Sequence, residues 1–238
     1  MTGPLSLWAG SSGRRVFRHA ATGGPPLKQR TGPLTISHSP APARSDVATA
    51  APTGSSRHPY AVHGSVLTAG ALAWAATMAV VGIDPQGHGE EVAFSLSSGL
   101  FQVGLLFLLR TLWRTQALGE GRLARAVLRA EAVAVGLAIC STASDGLGLT
   151  DFDKVGFIVL DAFWPLSMLG MFLIGIRIAI AGRWKGVTRF WPMVAESWAV
   201  VTIPAMGIFG EAAGKYVGAL HLLVGYAVLG VLVSRKTD

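Results

Sequence analysis

The sequence predicts an all-α integral membrane protein, with about six transmembrane helices behind a disordered N-terminal tail. Three observations predict it. Of the 238 residues, 51% are hydrophobic and only 14% are charged, whereas a soluble domain carries about 25% charge to wet its surface. The apolar residues gather in six runs of about 20, more separate runs than one soluble core of this size buries. The basic residues segregate to alternate loops, as they do in multi-pass chains.

Residues 1–59 are rich in Gly, Pro, Ser, Thr and Ala, and eight of the twelve prolines lie between Pro4 and Pro59. Such a segment buries too little apolar surface to offset the entropy of ordering, so a disordered cytoplasmic tail is expected. Its basic residues are Arg14, Arg15, Arg18, Lys28, Arg30, Arg44 and Arg57, against one acid, Asp46. This Arg-rich, acid-poor composition also fits an organelle transit peptide. An overlong reading frame is a further alternative, although no second Met occurs until Met78.

A transmembrane domain over residues 60–234 follows. Its apolar segments span 61–83, 92–113, 126–144, 155–181, 190–209 and 216–233. Each reaches, or nearly reaches, across a hydrocarbon layer of about 30 Å at 1.5 Å rise per residue. None alternates apolar and polar residues as a barrel strand does, so helices are the spanning option. The fifth segment is the most interrupted, by Pro192, Glu196 and Pro204. The third carries a stripe of Ala132, Gly136, Cys140 and Ser144 beside a second of Glu131, Ala134, Ala138, Ser141 and Asp145. A wide small or polar surface of this kind faces other helices, which predicts a central position for the third helix. The last segment brings Gly214, Gly218, His221 and Gly225 to one side.

Six crossings put both ends of the chain, and the second and fourth loops, on one side. That side collects the seven tail cations with Arg110, Arg114, Arg122, Arg125, Arg129, Arg177, Arg183, Lys185, Arg189, Arg235 and Lys236, eighteen of the twenty basic residues. The other side has Lys154 and Lys215 among the acids Asp84, Glu90, Glu91, Asp145, Asp151, Asp153 and Glu211. The basic side is expected to be cytoplasmic, giving a multi-pass protein of the cell membrane with both termini inside. Trp113, Trp184, Trp191 and Tyr216 fall near segment ends, as an interfacial belt requires.

Composition also excludes functions. The net charge of +7 suits loops facing anionic lipid, and no helix-turn-helix or aromatic-basic platform points to nucleic acid. A lone cysteine, Cys140, allows no intrachain disulfide and no Cys-based metal site. No H-E-x-x-H, phosphate loop or G-x-S-x-G elbow occurs, so no catalytic residue or cofactor is assigned. His88 and His221 on the outer side, with Glu90 and Glu91 nearby, come closest to a metal cluster but lack ligand spacing.

Intramembrane ionisable groups are costly, and so they are candidates for function. Asp161 and His221 each lie about six residues from the extracytoplasmic start of their helices, about 9 Å deep. Pro165, four residues after Asp161, removes the amide that would bond the Asp161 carbonyl. With Ser95, Ser98, Ser141, Thr142 and Asp145 in the same half of the membrane, an Asp161–His221 pair would either form a binding site for a proton, a cation or a polar solute or only pin two helices together. Glu131 and Glu196 are expected near the cytoplasmic face, in ion pairs with Arg129 and Arg177 or snorkelling to the interface; the alternative is a cytoplasmic gate or proton exit. Three function classes follow. A small-solute or proton-linked transporter is favoured, because polar groups cluster at both ends of a central helix. An accessory or structural membrane protein and a membrane-embedded enzyme are the alternatives. The expected partners are the lipid bilayer and a small polar solute or proton; a homo-oligomer is admitted but not required.

Overall fold

A computed structural model describes residues 58–237. The tail expected over residues 1–59 therefore lies almost wholly outside the described residues. Among the described residues every regular element is helical. In order they are α1 (Ala61–Val80), α2 (His88–Arg114), α3 (Arg122–Gly146), α4 (Val155–Asp161), α5 (Phe163–Ala181), α6 (Val187–Glu196), α7 (Trp198–Phe209), α8 (Glu211–His221), a π-helical turn over Leu222–Ala227, and α9 (Val228–Ser234).

Local chemistry explains the breaks. Glu90 and Glu91 occupy the first turn of α2 and Arg114 its last, an order that suits the helix dipole. Helix α5 stops at Gly182, which has φ +64° and donates its N–H to Ile178 at 3.1 Å; only glycine takes that left-handed position without a Cβ clash. The 155–181 segment divides at Ala162 because Pro165 has no amide to give the Asp161 carbonyl. The 190–209 segment divides at Ser197 into halves bent by 42°.

Four stretches are long and apolar enough to cross a membrane: α1, α2, the combined α4–α5 (Val155–Ala181) and the combined α8–α9 (Glu211–Ser234). The bent α6–α7 pair makes a fifth if it counts as one span. Helix α3 is 25 residues long and packs between α2 and α5. Its N-terminal half, however, carries Arg122, Arg125, Arg129 and Glu131. Leu72, Leu96, Val133, Leu169, Leu173, Ile203 and Leu220 are all exposed. An exterior this apolar, on six different helices, suits lipid rather than water.

The centre is α1, not α3. Helix α1 packs against α2, α8, the π turn and α9, and glycines let the backbones approach. A Cβ at Gly64 would strike Gly230 and Ser234 of α9, and one at Gly104 of α2 would meet the Leu67 backbone at 2.7 Å. Helix α3 uses only half of its small surface. Glu131, Ala134, Ala138 and Ser141 are buried, whereas Cys140 is exposed and a Cβ at Gly136 would meet nothing within 4 Å. The expectation of a central third helix fails because α1 offers closer backbone approach at more positions.

The bundle has two chemically distinct ends. At one, the start of α1 lies against the end of α9, Arg183 pairs with Glu120 at 2.7 Å, and the Trp184 indole donates to Thr115 at 3.0 Å. At the other, Gly146 lies against Ser95, and the Thr150 hydroxyl donates to Asp145. We call these the basic and acidic ends.

Candidate functional site

Towards the acidic end, helices from across the sequence enclose a cavity of about 220 Å³. Helix α2 contributes Ser95 and Ser98, three residues apart and so on one face. Helix α3 contributes Ser141, Thr142 and Asp145, and the broken end of α4 contributes Asp161. Six of the seven residues expected to form the binding site thus line one space. Hydrogen bonds orient some of them: Ser98 donates to the Phe94 carbonyl at 2.8 Å, and Gln102 donates to Thr142 at 2.9 Å. Among the described residues, the side chains of Ser95, Ser141 and Asp161 make no hydrogen bond or ion pair. Ser95 and Ser141 are nonetheless 8% and 5% exposed, so they line the cavity with their polar capacity unspent.

The seventh residue, His221, is elsewhere. Its Nε2 lies 3.0 Å from the Val194 carbonyl and 3.2 Å from that of Ala195. Carbonyls only accept, so Nε2 carries the proton. Val194 at the α6–α7 break also accepts from the Ser197 amide at 3.3 Å and the Ser197 hydroxyl at 2.8 Å, and the imidazole adds a further donor to the carbonyls at this bend. The expected Asp161–His221 pair is therefore not formed: the broken helix beside His221 supplies acceptors that the sequence spacing does not reveal.

The cavity has aromatic walls that the sequence reading missed. Trp74 of α1, Trp164 of α5 and Trp198 of α7 line it together with Phe94. Trp74 and Trp164 meet edge to face at 6.3 Å between centroids, Trp164 and Trp198 do so at 6.1 Å, and Trp74 lies 5.6 Å from Trp198 at a tilt. The Trp198 indole is anchored by donating to the Gly218 carbonyl at 3.1 Å. Their signal was present: Trp74 and Trp198 sit mid-segment, where an interfacial belt gives no reason for tryptophan.

Behind the indoles lies a second, enclosed space of about 10 Å³, bordered by Gln102, Ser167, Glu196, Tyr226 and the far sides of Trp74 and Trp164. That is about the room one water occupies. Here Tyr226, from the π turn, donates to Glu196 Oε2 at 2.6 Å, while Glu196 Oε1 and Gln102 Oε1 have no protein partner. A π turn displaces side chains from the α-helical register, and this one carries the Tyr226 hydroxyl to Glu196.

The expected cytoplasmic ion pairs are also absent. Among the described residues the ion pairs are Lys154–Asp151 and Arg183–Glu120. Glu196 is 2% exposed and bonds Tyr226 instead of a cation. Arg129 rests over the Trp113 ring at 5.0 Å, because residues two apart on a helix do not share a face. Glu131 turns the other way, its carboxylate lying on Gly170, where any Cβ would collide with it. Arg177 lines the same cleft of about 520 Å³, but from seven residues beyond Gly170, about 10 Å along α5.

No family model, curated protein or solved structure matches this chain.

Proposed function

We propose that the protein is a six-span transporter of the cell membrane, carrying a small polar or charged solute with linked proton movement. In this reading α3 is the sixth span, both termini are cytoplasmic and the acidic end faces outward. The observation that carries it is the cavity at that end, where the buried Ser95 and Ser141 keep their polar capacity free within an apolar bundle and the exposed Asp161 adds a carboxylate at the rim. Buried polar groups in a membrane are costly unless a substrate, ion or water uses them. Polar side chains continue inward from the cavity, from Thr142 to Gln102 and on to the Glu196–Tyr226 pair. Two carboxyls, Glu196 and Glu131, then stand between the cavity and the basic-end cleft, placed to hold and pass a proton.

An accessory role is the second reading. The bonds from Trp191 to the Gly225 carbonyl at 3.0 Å, from Trp198 to Gly218 and from His221 to Val194 tie α6 and α7 to the last helix, as a static scaffold would.

Full-length protein reconstituted in liposomes with a trapped pH-sensitive dye separates the two. Transport predicts solute-driven proton flux that is lost in Glu196→Gln. Liposomes no leakier than protein-free ones, over a panel of amines, amino acids and sugars, would overturn transport and leave the accessory role.

A further inference from the structure

We propose that the acidic-end cavity binds a small organic ammonium cation, a quaternary or methylated amine, with the Trp164 indole against the cationic head and Asp161 as its counter-charge. This names the substrate class of the transport reading and rests on it only for the step of movement, not for binding.

The walls select for charge. Among the described residues, the charged side chains lining the cavity are Asp145 and Asp161, and no basic side chain lines it. The two nearby lysines are engaged elsewhere: Lys154 pairs with Asp151 at 3.0 Å, and Lys215 lies over the Tyr216 ring at 5.2 Å. One Asp145 carboxylate oxygen accepts from the Thr150 hydroxyl, which leaves Asp161 as the anion with both oxygens free for a ligand. A cation is therefore favoured over a neutral solute, and an anion is opposed.

They also select against a bare metal ion. Among the described residues no three His, Cys, Asp or Glu side chains gather as a ligand set. Metal ions such as calcium need several oxygen ligands at short range, but indole rings and Met78 take up much of this lining. An alkylated ammonium needs the reverse: few ligands, apolar contact for its methyl groups, and electron-rich ring faces near its charge. Edge-to-face packing turns the planes of Trp74 and Trp164 by 86°, and those of Trp164 and Trp198 by 84°. Trp74 and Trp198 are only 1% and 3% exposed, so they brace the wall, and the half-buried Trp164 supplies its accessible indole surface. The Gly218 anchor on Trp198 and the packing of Trp164 against Trp74 and Trp198 hold that wall before any ligand arrives.

Size and access agree. Drug-sized ligands occupy clefts of about 300–1,000 Å³, so about 220 Å³ admits a smaller molecule. A largely apolar groove between α2 and α3 shares Ser95 and Thr142 with the cavity, giving the methyl groups a lipid-side approach.

The test is intrinsic tryptophan fluorescence of the purified full-length protein, titrated with tetramethylammonium, with choline, and with the uncharged isostere of choline in which carbon replaces nitrogen. Saturable change with both cations is expected, with binding of the isostere about tenfold weaker or more. Asp161→Asn should weaken choline binding about tenfold while leaving the thermal midpoint unchanged, since α4 buries no residue. Trp164→Phe, which keeps a ring face, should weaken binding less than Trp164→Leu. Equal binding of choline and its isostere, or unchanged affinity in Asp161→Asn, would overturn the assignment. So would no response to either cation from protein that shows solute-driven proton flux in liposomes, and transport would then stand with another substrate. Choline binding without flux would support the cation site and overturn transport.

Discussion

Tyr226→Phe probes the buried polar core with the smallest possible change. The hydroxyl donates to Glu196 Oε2 at 2.6 Å, and Glu196 Oε1 already has no protein partner. Removing the hydroxyl leaves both carboxyl oxygens without a protein donor in a residue only 2% exposed. The ring itself stays, packed edge to face on Phe101 at 4.7 Å, so the loss is confined to the hydrogen bond. A buried polar group left unsatisfied costs about 1–3 kcal/mol. At about 2–4 °C per kcal/mol for a chain of this length, the thermal midpoint should fall by about 2–12 °C. The assay is thermal unfolding of purified protein in one detergent, with Glu196→Leu and the double variant alongside. Because Glu196→Leu removes the acceptor, the double variant should cost less than the sum of the singles. An unchanged midpoint in Tyr226→Phe, or strict additivity in the cycle, would refute the claim that this bond closes the core.

Asp161→Asn and His221→Ala should combine additively in thermal stability, because His221 bonds the Val194 and Ala195 carbonyls and not Asp161; coupling above about 0.5 kcal/mol would contradict that placement. Gly230→Val should destabilise by about 1–3 kcal/mol or prevent accumulation, since a side chain there meets Thr68 and the Gly64 carbonyl; accumulation and a midpoint equal to wild type would show that α1 and α9 are not in close contact. In a Cys140→Ala background, Gly87→Cys and Asp151→Cys should react with a membrane-impermeant maleimide added to intact cells, and Thr237→Cys should not. Labelling at position 237 alone would reverse the orientation.

Helix existence was legible in the sequence because it is a local property. Runs such as 61–83 and 92–113 declare themselves by length and apolarity, and they appear as α1 and α2 within a few residues. The break at Asp161 was legible too, because Pro165 acts on its own helix. So was most of the cavity: Ser95, Ser98, Ser141, Thr142, Asp145 and Asp161 could be assigned to one depth by counting residues from the helix ends, and depth is counted along a single chain.

Tertiary structure alone decided which way each helix turns and what it meets at that depth. Counting from residue 216 puts His221 level with Asp161, but the last helix begins at Glu211, so His221 lies ten residues along it against six for Asp161 along α4. There it meets the Val194 and Ala195 carbonyls of the bent α6–α7 pair, and rotation about a helix axis is not encoded by depth. Glu196 was expected to face a cation near the membrane surface. The π turn instead brings it the Tyr226 hydroxyl, and that turn has no local signature in Leu222–Ala227. The central place fell to α1 because Gly64 meets Gly230, and Gly104 meets Leu67. Such close approaches depend on two segments in register at once. Hydropathy along the chain assigns residues to the membrane, but only packing between helices determines which polar groups find partners and which are left facing a cavity.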